Sequence, residues 1–101
     1  MSGTVPEPYP EMILIKDGDR EELRISPVII GIHPDADFRL ADVYVSSRHA
    51  RLVHDGESWT VTDLGSANGT YLGVRRVYAP TPIAKGDRIR VGRTTLILVP
   101  L

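Results

Sequence analysis

The sequence predicts an all-β fold, a β-sandwich of about eleven short strands. Three observations carry that expectation. Apolar and polar residues alternate with period two, as in Leu23-Arg24-Ile25 and Trp59-Thr60-Val61-Thr62. No stretch of 10 or more residues keeps apolar positions at helical spacing without a Gly or Pro interrupting it. Turn signals recur roughly every 8 to 12 residues, the spacing of a sandwich or barrel.

Residues 1–10 are Pro-rich and uncharged apart from Glu7, a flexible lead-in to a single domain over 11–101. Met12-Ile13-Leu14-Ile15 is the first strand-like run, and Asp17-Gly18-Asp19 turns the chain after it. Glu21 to Ser26 follows, with Leu23 and Ile25 alternating against Glu22 and Arg24. Val28-Ile29-Ile30 is closed by His33-Pro34-Asp35 and succeeded by a short Phe38-Arg39-Leu40. Ala50 to His54 and Trp59 to Leu64 flank Asp55-Gly56, a hairpin in which Gly tolerates the positive φ of a tight turn. Tyr71-Leu72 and Arg76-Val77 come after Asn68-Gly69. Arg88 to Val91 enters from Lys85-Gly86-Asp87, and Thr94 to Val99 follows the Gly92-Arg93 turn. The chain contains no internal repeat and no low-complexity tract.

A length of 101 residues suffices for one domain with a real core. Twelve Lys and Arg against 13 Asp and Glu give a net charge of −1, so no global positive field gathers nucleic acid or anionic membrane. Any anion site must therefore be local. Without Cys there is no disulfide framework or thiolate chemistry, which fits a reducing, cytoplasmic setting. The longest apolar runs are far short of the roughly 20 residues a spanning helix needs. The first ten residues lack the basic start and apolar stretch of a signal peptide. His33, His49 and His54 lack the spacing and carboxylate partners of a zinc site, so neither metal nor cofactor is expected.

Two polar stretches stand apart from the strands: Val45-Ser46-Ser47-Arg48-His49-Ala50 and Asp63-Leu64-Gly65-Ser66-Ala67-Asn68-Gly69-Thr70. Together they read as turns of one β-domain, brought together to hold a ligand. Singly they are weak signals. Asn68-Gly69 alone is a turn dipeptide, and Ser46-x-x-His49 alone is a loop Ser beside a buried, satisfied His. Ser46, His49 and Asp63 invite a hydrolase triad, but Ser and His three apart in one turn rarely present nucleophile and base correctly, and no nucleophile elbow surrounds Ser46. Arg75, Arg76, Arg88, Arg90 and Arg93 read as a solvated face, and Trp59 as core.

With Gly31-Ile32-His33-Pro34 before them and Gly86-Asp87-Arg88-Ile89-Arg90-Val91-Gly92 after, these stretches resemble the forkhead-associated (FHA) domain, a reader of phosphothreonine peptides, from about Met12 to Val99. The style of the motifs is similar to that of bacterial members. The resemblance implies binding loops at one end of the sandwich, over Gly31 to Asp37, Val43 to His49 and Gly65 to Thr70. It implies that Ser46 binds phosphate through its hydroxyl and backbone N–H, and that Asn68 bonds the peptide backbone. His49, Gly31 and Gly69 would support the loops, and Arg48 is a cation beside Ser46. The chain departs from the pattern where Ile32 replaces the phosphate-binding Arg, Ser47 replaces a second Arg or Asn, Ala67 replaces Thr, and Gly73-Val74 replaces Asn-Gly. His33, Arg39 or Arg48 are the side chains able to make good the missing charge.

The expected function is a non-catalytic module that docks a phosphothreonine-containing protein or kinase in Ser/Thr kinase signalling. Its phosphopeptide site would comprise Ser46, Ser47, Arg48, Asn68, Ala67, Ile32 and His33, with recognition weakened or altered at Ile32. The alternatives are a phosphate-independent scaffold disabled at Ile32 and, third, a Ser/His hydrolase. The module is either free-standing or part of a larger signalling protein.

Overall fold

A computed structural model describes residues 12–16, 19–23 and 26–100. The lead-in over residues 1–10, the Asp17-Gly18 part of the first turn, the Arg24-Ile25 part of the second expected strand and Leu101 lie outside the described residues. Among the described residues, eleven strands follow one another: β1 (Met12–Lys16), β2 (Asp19–Leu23), β3 (Val28–Gly31), β4 (Phe38–Arg39), β5 (Ala50–His54), β6 (Trp59–Asp63), β7 (Thr70–Leu72), β8 (Arg75–Arg76), β9 (Thr81–Ile83), β10 (Arg88–Val91) and β11 (Thr94–Pro100). They form a six-stranded sheet ordered β2-β1-β11-β10-β7-β8 and a five-stranded sheet ordered β4-β3-β5-β6-β9. The all-β sandwich is the architecture the alternating pattern predicts. No helix among the described residues is long and apolar enough to cross a membrane.

Alternation decides which side chains enter the space between the sheets. In β5 these are Ala50, Leu52 and His54, in β6 Trp59 and Val61, in β10 Ile89 and Val91, and in β11 Leu96 and Leu98, all buried. Ile30 of β3 meets them from the five-stranded side. Burying each large aliphatic side chain contributes about 1.5–3 kcal/mol. The β5–β6 hairpin closes as expected. His54 pairs with Trp59, Asp55 Oδ1 accepts the N–H groups of Glu57 and Ser58 at 2.9 Å each, and Gly56 adopts φ 101°.

Several boundaries differ from the sequence pattern. The second strand starts at Asp19 rather than Glu21, and Ser26 lies in a bend. The eighth strand is Arg75–Arg76, with Val77 following it as a buried residue donating its N–H to Thr70. Thr81–Ile83 was not foreseen, because Pro82 interrupts the pattern. It is tolerated because β9 is an outer strand.

The β3–β4 pairing is parallel, and β4 is only two residues long. The connecting loop folds back on β3, so that Asp37 Oδ2 accepts the N–H of Ile29 at 2.8 Å and Leu40 donates to the carbonyl of Gly31 at 2.9 Å. A side chain thus supplies an acceptor that the short strand does not, and the loop after β3 is fixed rather than free.

Candidate functional site

The β3–β4, β4–β5 and β6–β7 connections meet at one end of the sandwich, held by hydrogen bonds that begin where β3 stops. The N–H of Ile32 donates to the carbonyl of Ser46 at 3.3 Å, that of His33 to Ser47 at 3.1 Å, and that of His49 to Ile30 at 2.9 Å. This close crossing requires Gly31. A Cβ there would lie 2.0 Å from the carbonyl oxygen of Ser47, a backbone atom that cannot step aside.

The β6–β7 loop is built around Asp63. Its Oδ2 accepts the N–H groups of Gly65 and Ser66 at 3.0 Å each, and its Oδ1 accepts the hydroxyls of Ser66 at 2.5 Å and Thr70 at 2.7 Å. Ser66 Oγ in turn accepts the N–H of Gly69 at 2.9 Å. Partial burial opposes ionisation of Asp63, but these donors outweigh it and hold the carboxyl below its ordinary value. Gly69 adopts φ 85°, and the guanidinium of Arg76 lies against it where a Cβ would stand.

His49, fully buried, joins the two loops from beneath. Its Nδ1 accepts the N–H of Ser46 at 3.1 Å, which leaves the ring proton on Nε2 to be donated to the carbonyl of Gly69 at 2.8 Å. Two further bonds cross above it. Ser46 Oγ accepts the N–H of Ala67 at 3.1 Å, and Asn68 Nδ2 donates to the carbonyl of Tyr44 at 2.8 Å.

Asp42 ties the β4–β5 loop to the opposite sheet. Its Oδ1 accepts the N–H of Tyr44 at 2.9 Å, while Oδ2 accepts the N–H of Arg93 and the hydroxyl of Thr94 at 2.8 Å each. Desolvation acts against the charge, but those hydrogen bonds, with the nearby Arg93, keep the carboxyl below its usual range. The Arg93 guanidinium sits 4.4 Å from the centre of the Tyr44 ring.

The structure therefore gathers Ser46, Ser47, Arg48, Ala67 and Asn68 on one rim, Ser46 half-buried and the others exposed. The backbone N–H groups of Ser47, Arg48 and Asn68 have no partner among the described residues, a set of donors suited to an anion. Three placements differ from the simplest expectation. The N–H of Ser46 points back to His49, which leaves the hydroxyl as its outward donor. The Ile32 side chain is half-buried against the core, and it lines a groove of about 620 Å³ with Arg39, Leu40, Ala41, Asp42 and Val43. His33 uses Nδ1 to accept the N–H of Asp35 at 3.0 Å, closing its own turn.

Ser46, His49 and Asp63 do not assemble as a triad. One imidazole nitrogen accepts an amide proton, the other donates to a carbonyl, and Asp63 bonds Ser66 and Thr70, so no lone pair is left to deprotonate Ser46. No group of three or more His, Cys, Asp or Glu placed to hold a metal occurs among the described residues. Sequence reasoning missed Asp42, Tyr44 and Arg93, whose link joins positions 51 apart. It quoted Asp63 without its role. The signal for that role was the Asp-x-x-Ser spacing, which allows a carboxylate to accept from the backbone two and three residues on.

A two-sheet sandwich whose loops are stitched into a polar rim at one end is the architecture of a small protein-interaction domain. The match to the FHA domain family covers residues 28–92, and the chain belongs to that family. Among relatives, FhaB of Mycolicibacterium smegmatis is 43% identical over 83 residues, covering 82% of this chain and 54% of the relative. The oxoglutarate dehydrogenase inhibitor of Corynebacterium jeikeium is 38% identical over 82 residues, 81% of this chain and 56% of the relative. The chain thus spans about half the length of these curated relatives. An FHA structure from work on phosphothreonine-dependent FHA domain interactions superposes with a TM-score of 0.82 at 37% identity, over 88% of this chain and 95% of that one. Mycobacterium tuberculosis EmbR, in complex with a low-affinity phosphopeptide, gives 0.85 at 26% identity, over 89% of this chain and 24% of EmbR.

Proposed function

We propose that this domain is a non-catalytic adaptor that docks phosphothreonine-bearing segments of a partner protein modified by a Ser/Thr kinase, on the cytoplasmic side and within a longer protein. The observation that carries this is the double anchorage of His49, which sets the Ser46 hydroxyl and the Asn68 amide side by side on one rim. Phosphothreonine brings about −1.5 to −2 charges and three acceptor oxygens. The Ser46 and Ser47 hydroxyls, the N–H groups of Ser47 and Arg48 and the Arg48 guanidinium meet them. Asn68, with one N–H on Tyr44, keeps its Oδ1 and second N–H for the peptide backbone. Ala67 precedes that contact, and the N–H of His33 holds the carbonyl of Ser47 beneath the phosphate-binding loop. Phosphothreonine-dependent FHA interactions and an EmbR phosphopeptide complex among similar structures support the assignment. Because Ile32 offers no side-chain donor, binding is weaker than with Arg there. One charge-assisted hydrogen bond is worth about 1.5–3 kcal/mol.

The test is a titration with a degenerate phosphothreonine peptide pool and its unphosphorylated twin. Preference for the phosphorylated pool, lost in Ser46→Ala, is the expected result. The half-buried position of Ile32 favours one alternative, a scaffold that binds without phosphate. Equal binding of both pools, with phosphate preference appearing only in Ile32→Arg, establishes that alternative.

A further inference from the structure

The cations around the rim are not equivalent. Arg93 is committed to the Tyr44 ring, and Arg76 lies against Gly69 and 5.4 Å from the Tyr78 ring centre. Arg48 is exposed and has no partner among the described residues that would aim it. Arg39 differs from all of these. It projects from the exposed face of β4, aligned with Gly31 across the parallel β3–β4 pair, and its Nε donates to the carbonyl of Ile32 at 3.3 Å. Ile32 is the residue whose N–H holds the carbonyl of Ser46. A guanidinium is therefore anchored one residue from the strand crossing that positions the Ser46-Ser47 loop.

The anchorage uses Nε alone. The two terminal amino groups of Arg39 have no partner among the described residues, so a fork of donors stays available. Asp42, on the same groove, does not pair with Arg39. Its two oxygens accept from Tyr44, Arg93 and Thr94. His33 is the poorer donor, with Nδ1 on its own turn and the Asp35 carboxylate 3.7 Å away.

We propose that Arg39, with Arg48 secondary to it, is the principal phosphate-binding cation of this domain, delivering from β4 the guanidinium that position 32 does not carry. This rests on the phosphothreonine-binding function proposed above. A planar fork matches phosphate geometry, and its charge is permanent at any physiological pH. Tethering Nε to a backbone carbonyl also lowers the cost of ordering the side chain on binding.

The experiment uses the full chain and a fluorescein-labelled degenerate phosphothreonine peptide pool with its unphosphorylated twin, read by anisotropy. Wild type is compared with Ser46→Ala, Arg39→Gln, Arg39→Lys, Arg48→Gln and the double substitution Arg39→Gln/Ile32→Arg. Arg39→Gln is expected to weaken phosphorylated-pool binding about ten-fold or more, with Arg39→Lys intermediate. Arg48→Gln costs less than Arg39→Gln, and adding Ile32→Arg to Arg39→Gln restores affinity. If Ser46→Ala removes phosphate preference while Arg39→Gln and Arg39→Lys leave affinity unchanged, Arg39 is excluded and the phosphothreonine function stands. If wild type does not distinguish the two pools, both proposals fall together. The Arg39 side chain is exposed, so the melting temperatures of its variants are expected to match wild type.

Discussion

His49 is the residue on which the rim depends, and it works through protonation geometry rather than charge. Nδ1 accepts the Ser46 N–H and Nε2 donates its own N–H to the Gly69 carbonyl, so one side chain satisfies a donor on the β4–β5 loop and an acceptor on the β6–β7 loop. Replacing it with Ala leaves the Ser46 N–H and the Gly69 carbonyl without partners and opens a void. Unmet buried polar groups cost about 1–3 kcal/mol each, so urea denaturation of His49→Ala is expected to show a loss of about 3 kcal/mol. Asp63 offers a second test at this scale. Its folded-state value lies below the unfolded one of about 3.9, so its contribution to stability is complete above that value and is lost as pH falls through the folded one. Asp63→Asn is expected to be less stable than wild type at pH 7, with the gap narrowing below about pH 4, as urea midpoints across that range will show. A slope remains in the variant, because Asp42 is shifted in the same direction.

At the scale of elements, the site is a product of strand endings. β3 continues its hydrogen bonding beyond Gly31 by borrowing carbonyls from the next loop, which is why the Ser46-Ser47 segment lies where it does. Gly31→Ala places a methyl group onto the Ser47 oxygen, and the backbone must part to admit it. Phosphopeptide binding is expected to fall at least about ten-fold in that variant, with the two segments separating in its amide spectrum. The strands were largely legible in the sequence because a half-buried strand records its environment at every second residue, as Trp59-Thr60-Val61 does. Thr81–Ile83 was not, since Pro82 argues against a strand wherever its position in the sheet is unknown. The loops were legible as motifs and not as geometry. Ser46 and Asn68 could be named from the residue types around them, but the direction of the Ser46 N–H depends on a ring nitrogen that no spacing reveals.

Across the whole molecule, Asp42 couples the β4–β5 part of the rim to the six-stranded sheet across the sandwich. The loop before β5 is fastened to the β10–β11 turn, where Gly92 leaves room for the carboxylate and for Val45. Asp42→Ala is expected to cost about 1–2 kcal/mol and to speed hydrogen exchange at the amides of Tyr44 and Arg93 while the core amides stay protected. This coupling was illegible in sequence because nothing local ties a loop aspartate to a turn 51 residues away. The same non-locality explains why Arg39 could be named as a source of charge but not preferred. Its direction follows from β4 lying parallel beside β3, a pairing six residues of loop do not announce.

Pro82 stands opposite Thr60 on the outermost strand of the five-stranded layer. It has no amide hydrogen, so the outer margin of that layer is broken at the middle residue of its last strand. A second molecule approaching along this flank meets an incomplete ladder and gains little by extending it. Crowding many copies together is therefore not expected to recruit this margin into fibrils.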